Sequence, residues 1–195
     1  PVDTAATGSL FTPSQQRGIY RSEDGGISWE RVLFITDTTA AIDLVQHPEN
    51  PDILFAGMWE RARGLNYRRS GGPSSGVYKT VNGGDSWIEL TNGLPQSDDV
   101  GRIGLTLCKS HPDVLYAIYD SQMDEDDDYS FMGIFKTDND GDNWQQTNDE
   151  SLYGMNSRFG WYFGQIRVDP NNPDIVYGLG VDLVKSQNGG DSWET

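Results

Sequence analysis

The fold class this sequence predicts is an all-β propeller of four-stranded antiparallel blades, an incomplete ring of about three and a half blades. Three observations predict it. A twelve-residue stretch occurs four times, at residues 18–29, 76–87, 133–144 and 182–193. A second pattern of strand, Pro/Asn turn and strand precedes three of those copies. Helix signals are almost absent. The shared core of each copy starts at Ser22, Thr80, Thr137 and Ser186, and steps of 58, 57 and 49 residues suit one blade each.

The elements follow in order. Residues 1–35 are a partial blade, with Gly8-Ser9-Leu10-Phe11 as its expected second strand. Residues 36–92 and 93–148 are whole blades, and 160–195 is nearly complete. In the second blade, Ala41-Ile42-Asp43-Leu44-Val45 leads through His47-Pro48 to Ile53-Leu54-Phe55-Ala56. In the third, Arg102-Ile103-Gly104-Leu105 leads through His111-Pro112 to Val114-Leu115-Tyr116-Ala117. In the last, Gln165-Ile166-Arg167-Val168 leads through Asp169-Pro170 to Ile175-Val176-Tyr177-Gly178. Each repeated stretch then supplies a third strand, a turn and a fourth strand.

The repeated core reads Ser/Thr-x-Asp/Asn-x-Gly-x-Ser/Asn-Trp, here called the box. Its members are Ser22, Asp24, Gly26 and Trp29; Thr80, Asn82, Gly84 and Trp87; Thr137, Asn139, Gly141 and Trp144; Ser186, Asn188, Gly190 and Trp193. The Asp or Asn accepts from nearby backbone N–H groups and closes a turn. The Gly supplies positive φ. The Trp is expected to fold under the hairpin into the core. A catalytic reading of the carboxylate is poor, because Asn82, Asn139 and Asn188 replace it in three copies and an amide is neither acid nor base near neutral pH.

Composition bounds the function. The 195 residues carry a net charge of −16, from 30 acidic against 14 basic side chains. That charge argues against nucleic-acid binding. The single cysteine, Cys108, excludes a disulfide framework and a Cys-rich metal site. No apolar run reaches membrane-spanning length, and no signal peptide is visible. Both ends look cut, so the remaining blades of a parent protein are expected partners. No cofactor or metal is expected.

Blade geometry sorts the loops. The boxes and Pro/Asn turns fall on one face, and the loops between second and third strands on the other. From Asp52 to Thr80 is 28 residues, from Asp113 to Thr137 is 24, and from Asp174 to Ser186 only 12. Long loops on a rigid scaffold are where binding usually sits. The first holds Trp59, Arg61, Arg63, Tyr67, Arg68 and Arg69, residue types that hold anions and stack on planar or sugar surfaces. The second holds the acidic run 124–128, which pairs with that arginine loop, binds a cation or is simply solvated. Arg102, Trp161 and Tyr162 enter innermost strands near the channel mouth, as ligand contacts or inter-blade packing. Both histidines precede or adjoin turns on the box face, which disfavours a His-based site. Asp43 and Asp182 are the candidates for a hydrolytic carboxylate pair.

The boxes resemble the Asp-box, or bacterial neuraminidase repeat. Beyond them, residues 41–44, 58–61, 71–76, 101–105 and 161–170 resemble bacterial proteins similar to the sortilin luminal propeller, which are often labelled glycosyl hydrolases. The resemblance implies a secreted or periplasmic protein. On the sortilin side it implies capture of a peptide, protein or carbohydrate ligand without catalysis. On the hydrolase side it implies a xyloglucanase-like or sialidase-like enzyme, but none of the xyloglucanase acids has a match here, and only Arg102 stands where a sialidase arginine would.

Overall fold

The computed structural model describes residues 12–122 and 130–195, and of residues 2–6 the backbone. Four antiparallel sheets follow one another along the chain. β1 (Val2–Ala6), β2 (Gly18–Ser22) and β3 (Glu30–Leu33) form the first. β4 (Thr39–Gln46), β5 (Leu54–Glu60), β8 (Gly76–Thr80) and β9 (Ile88–Leu90) form the second, while β6 (Ala62–Arg63) and β7 (Arg68–Arg69) pair as a small ribbon inside its long loop. β10 (Val100–Cys108), β11 (His111–Ser121), β12 (Phe131–Thr137) and β13 (Gln145–Gln146) form the third. A one-turn helix, α1 (Gly160–Phe163), precedes β14 (Gln165–Asp169), β15 (Asn172–Leu179) and β16 (Leu183–Ser186), where a bridge from Lys185 to Glu194 marks the fourth-strand position. These are blades, and the chain is an all-β partial propeller.

The strands pack because alternate residues face the neighbouring blade. One apolar cluster joins Ile19 of the first blade to Ala41, Ala56, Met58 and Tyr78 of the second. The next joins Phe55 and Val77 to Ile103, Leu105 and Leu115, and a third joins Tyr116, Ile118 and Ile134 to Ile166, Val176 and Val184. The innermost strands are stitched as well. Leu105 donates its N–H to Asp43 Oδ2 at 2.9 Å, and Val168 donates to Thr106 Oγ1 at 3.2 Å.

The boxes close as their residues dictate. In the second copy Thr80 Oγ1 donates to Asn82 Oδ1 at 2.9 Å and accepts from Gly84 N at 3.0 Å, and Ser86 N donates to Asn82 Oδ1 at 3.0 Å. The other copies repeat these bonds, with Asp24 accepting four in the first. Both turn positions are left-handed: Gly83 and Gly84 have φ of 67° and 96°. Asp140 takes the first of them at 57° in the third copy, which Asp tolerates better than most residues. Box and first turn share one face, since Gly83, Asp140 and Gly189 donate to the Asp52, Asp113 and Asp174 carbonyls.

The first described strand is Val2–Ala6, and the expected strand at Gly8–Phe11 lies outside the described residues. One expectation is corrected. The box tryptophans are not uniformly core. Trp144 is 4% exposed, Trp87 and Trp193 are half-buried, and Trp29 is 44% exposed. The later three pack at the junction with the blade before, as Trp87 does in the cluster that also takes Val32 and Leu33 of the first blade. Trp29, in the first blade, has no such neighbour among the described residues.

Candidate functional site

On the face opposite the boxes, the ends of several strands meet around a pocket of about 300 Å³. It is lined by Arg17, Ala40, Ala41, Ile42, Trp59, Arg61, Arg102, Trp161, Tyr162 and Gln165. Trp59 ends β5, Arg102 lies near the start of β10, and Trp161 stands on α1 just ahead of β14. Five residues expected from sequence therefore converge: Trp59, Arg61, Arg102, Trp161 and Tyr162.

Arg61 is the centre of the arrangement. Its guanidinium lies 4.7 Å from the Trp59 ring centroid and 5.1 Å from that of Trp161, and Arg68 approaches Trp161 at 5.6 Å. Its Nε is buried without a hydrogen-bond partner. Burial lowers the Arg61 pKa, helped by repulsion from Arg63, Arg68, Arg102 and Arg17. Burial likewise lowers that of Arg102, against the pull of Asp43 and Asp120. Among the described residues no Asp or Glu lines the pocket. A site that concentrates positive charge between indole walls suits an anionic group.

The supports are local. Trp59 is 4% exposed and its indole Nε1 donates to the Ser70 carbonyl at 2.7 Å, so it is a wall rather than an exposed stacking platform. Arg17 is 2% exposed and donates to the Arg61 carbonyl at 2.7 Å, as well as to the carbonyls of Thr38 and Thr12. Arg102 Nε donates to the Gly164 carbonyl at 3.1 Å, tying α1 to β10. Sequence reasoning missed Arg17 because no other blade has an arginine before its third strand.

Four expected residues do not line the pocket. Arg63, Tyr67, Arg68 and Arg69 are exposed on the β6–β7 ribbon and its turn. Arg69 is already paired: Nη1 lies 2.9 Å from Glu60 Oε1, and Glu60 is 5% exposed. A buried carboxylate needs such a partner. Glu60 Oε2 also accepts from Ser74 Oγ at 2.7 Å, and a Cβ on Gly72 would stand 2.2 Å from it, so the loop 71–76 is wrapped around this one side chain. Arg69 thus holds the loop through Glu60 and lies outside the pocket lining. The run 124–128 lies outside the described residues.

The candidate hydrolytic carboxylates do not converge here either. Asp43 accepts from Leu44 N at 3.0 Å and from Leu105 N at 2.9 Å, and Asp182 is exposed between β15 and β16. Among the described residues no group of three or more His, Cys, Asp or Glu is placed to hold a metal ion. No described helix is long and apolar enough to cross a membrane.

No family model and no curated protein sequence matches this chain. Solved structures do. The GH74 enzyme of Niastella koreensis is similar over 93% of this chain and 27% of its own, at 18% identity and a TM-score of 0.64. The GH74 xyloglucanase of Xanthomonas campestris is similar over 92% of this chain and 25% of its own, at 15% identity and a TM-score of 0.62. YCF48 bound to D1 peptide is similar over 80% of this chain and 39% of its own, at 14% identity and a TM-score of 0.52. The chain therefore spans about a quarter of the GH74 enzymes it resembles, and at these identities the likeness is one of propeller fold.

Proposed function

We propose that this chain is the non-catalytic binding propeller of a secreted or periplasmic sortilin-like protein, and that it takes the anionic group of a peptide, protein or glycan in the Trp59–Arg61–Trp161 pocket. One observation carries the reading: Arg61 is held between two indole rings beside Arg102, and no carboxylate among the described residues lines the pocket. Most glycoside hydrolases place two carboxyl groups across the bond to be cut, and the described residues of the pocket supply none. That one similar propeller is described with a bound peptide agrees with this reading. The second reading, a glycoside hydrolase fragment, is favoured by the higher TM-scores of the GH74 enzymes.

The two readings separate by titration. A hexaglutamate peptide, an oligogalacturonate and a neutral xyloglucan oligosaccharide are added in turn, followed by tryptophan fluorescence and calorimetry. At least one acidic probe is expected to bind, and Arg61→Ala to weaken it about tenfold or more, as a lost charge-assisted bond does. Binding or cleavage of the neutral oligosaccharide, with both acidic probes inert, overturns the proposal.

A further inference from the structure

Asparagine followed by glycine is the dipeptide most prone to lose its side-chain amide. A glycine has no Cβ, so its backbone nitrogen swings most easily onto the preceding side chain. The sequence holds three such pairs: Asn82-Gly83, Asn92-Gly93 and Asn188-Gly189. The fold treats them differently.

Two pairs sit in boxes and are held. Gly83 N–H donates to the Asp52 carbonyl at 2.9 Å, and Gly189 N–H to that of Asp174 at 2.9 Å. Both glycines are buried. Asn82 Oδ1 accepts from Thr80 Oγ1 at 2.9 Å and from Ser86 N at 3.0 Å, while its Nδ2 donates to Ser86 Oγ at 2.9 Å. Asn188 repeats the three bonds with Ser186 and Ser192. Attack at either box must break the bond on the glycine nitrogen and pull the amide out of its turn.

The remaining pair lies where the second blade passes into the third. Residues 91–94 form a turn closed by Leu94 N–H on the Thr91 carbonyl at 3.3 Å, with Gly93 left-handed at φ 82°. Asn92 and Gly93 are exposed, and among the described residues Gly93 N–H donates no hydrogen bond. The Asn92 Nδ2 donates to the Asp142 carbonyl at 3.1 Å and to Asn143 Oδ1. The Asn92 carbonyl accepts from Trp144 N at 3.0 Å. Asn92 therefore ties the second blade to the box of the third through the very amide that deamidation removes.

We propose that Asn92 is a deamidation site of the folded protein, and that its conversion weakens the junction between the second and third blades. Gly93 N attacks Asn92 Cγ, its proton passes to water, the Cγ–Nδ2 bond breaks and ammonia leaves. The resulting succinimide takes up one water and opens to aspartate or isoaspartate. Either product sets a carboxylate, which only accepts, against the Asp142 carbonyl where a donor stood. Isoaspartate also adds a carbon to the backbone of a tight turn, in which a Cβ on Gly93 would already stand 1.9 Å from the Trp144 carbonyl oxygen.

Peptide mapping of the purified protein, aged in warm, mildly alkaline buffer, tests this. A glutamyl protease cuts at Glu89, between the first two pairs, and trypsin cutting at Lys185 isolates the third. Asn92 should convert about tenfold faster than Asn82 or Asn188, the order of factor that one hydrogen bond on the attacking nitrogen supplies. In urea the three should convert at similar rates, because the unfolded chain protects none of them. Asn92→Asp should lower Tm by about 2–4 °C, as loss of one hydrogen bond does in a chain of this size, with an unchanged far-ultraviolet circular dichroism spectrum. Box asparagines that convert as fast as Asn92 in the folded protein, the same preference for Asn92 persisting in urea, or an Asn92→Asp chain that melts as wild type does, overturns the proposal.

Discussion

At the scale of one residue, Asp120 shows what burial does to a carboxyl. It lies 1% exposed at the end of β11, against Gly160 of α1. Desolvation pushes its pKa up from 3.8 to about 8, against the pull of the nearby Ser130 and Ser121 donors and of Arg102, and neither carboxyl oxygen has a hydrogen-bond partner among the described residues. In the unfolded chain the group loses its proton near its ordinary value, while the folded chain keeps it. Stability therefore falls as pH rises from roughly 4 toward 8, because the unfolded state binds fewer protons there. Asp120→Asn removes that titration. Urea melts at about pH 5 and pH 8 should show the variant gaining on wild type as pH rises, and a gap that does not change with pH would contradict the assignment. Asp24 is shifted in the opposite sense, down to about 2, because Ser28 and Ser22 hydroxyls and two backbone N–H groups hold its charged form. One residue type thus serves two opposite purposes, set by whether donors or apolar atoms surround it.

The box hairpin is the element on which the fold depends, but its copies do not contribute equally. Trp144 is 4% exposed and packs in the cluster that joins the second and third blades. Its indole Nε1 donates to the Gly141 carbonyl at 3.1 Å. Trp144→Ala should cost about 3–5 kcal/mol, as for other large buried aromatics. Trp29→Ala should cost under about 1 kcal/mol in the single chain, because a half-exposed side chain has little burial to lose. Denaturant melts of the two variants at a concentration below any self-association give the comparison. Equal losses would mean that the box Trp acts through its own hairpin rather than through the blade before it.

For the whole molecule, charge is the dominant global term. With a net −16, the folded chain repels itself. Local ion pairs offset little of this: Arg21, with Glu23, Glu30 and Asp85 at 3.6, 3.4 and 2.7 Å, is the densest group among the described residues. Salt near 0.15 M shortens the reach of repulsion to about 8 Å, so the melting temperature should rise as sodium chloride is added from low ionic strength. Scanning calorimetry checks this. A fall with salt would show that the Arg21 cluster and its counterparts outweigh the long-range repulsion.

The division between sequence and tertiary structure follows from range. A box closes through bonds between residues two to four positions apart, such as Gly84 N to Thr80 Oγ1, so its turn, its faces and the blade repeat were legible from order alone. The long loop at 61–75 was legible for the same reason, as a departure from the repeat. The pocket was not, because Trp59 and Trp161 stand far apart in sequence and meet only when blades lie side by side. Sequence could name Arg61 and Arg69 as equals, yet the fold gives one to two indole rings and the other to Glu60. Arg17 carried no repeat signal, and only its hydrogen bond to the Arg61 carbonyl reveals its part. The exposure of Trp29 and Leu183 was equally hidden, since burial of a repeated residue depends on whether another blade covers it. Local hydrogen-bonding patterns are written in neighbouring residues, and which side chains share a site is decided by packing between blades.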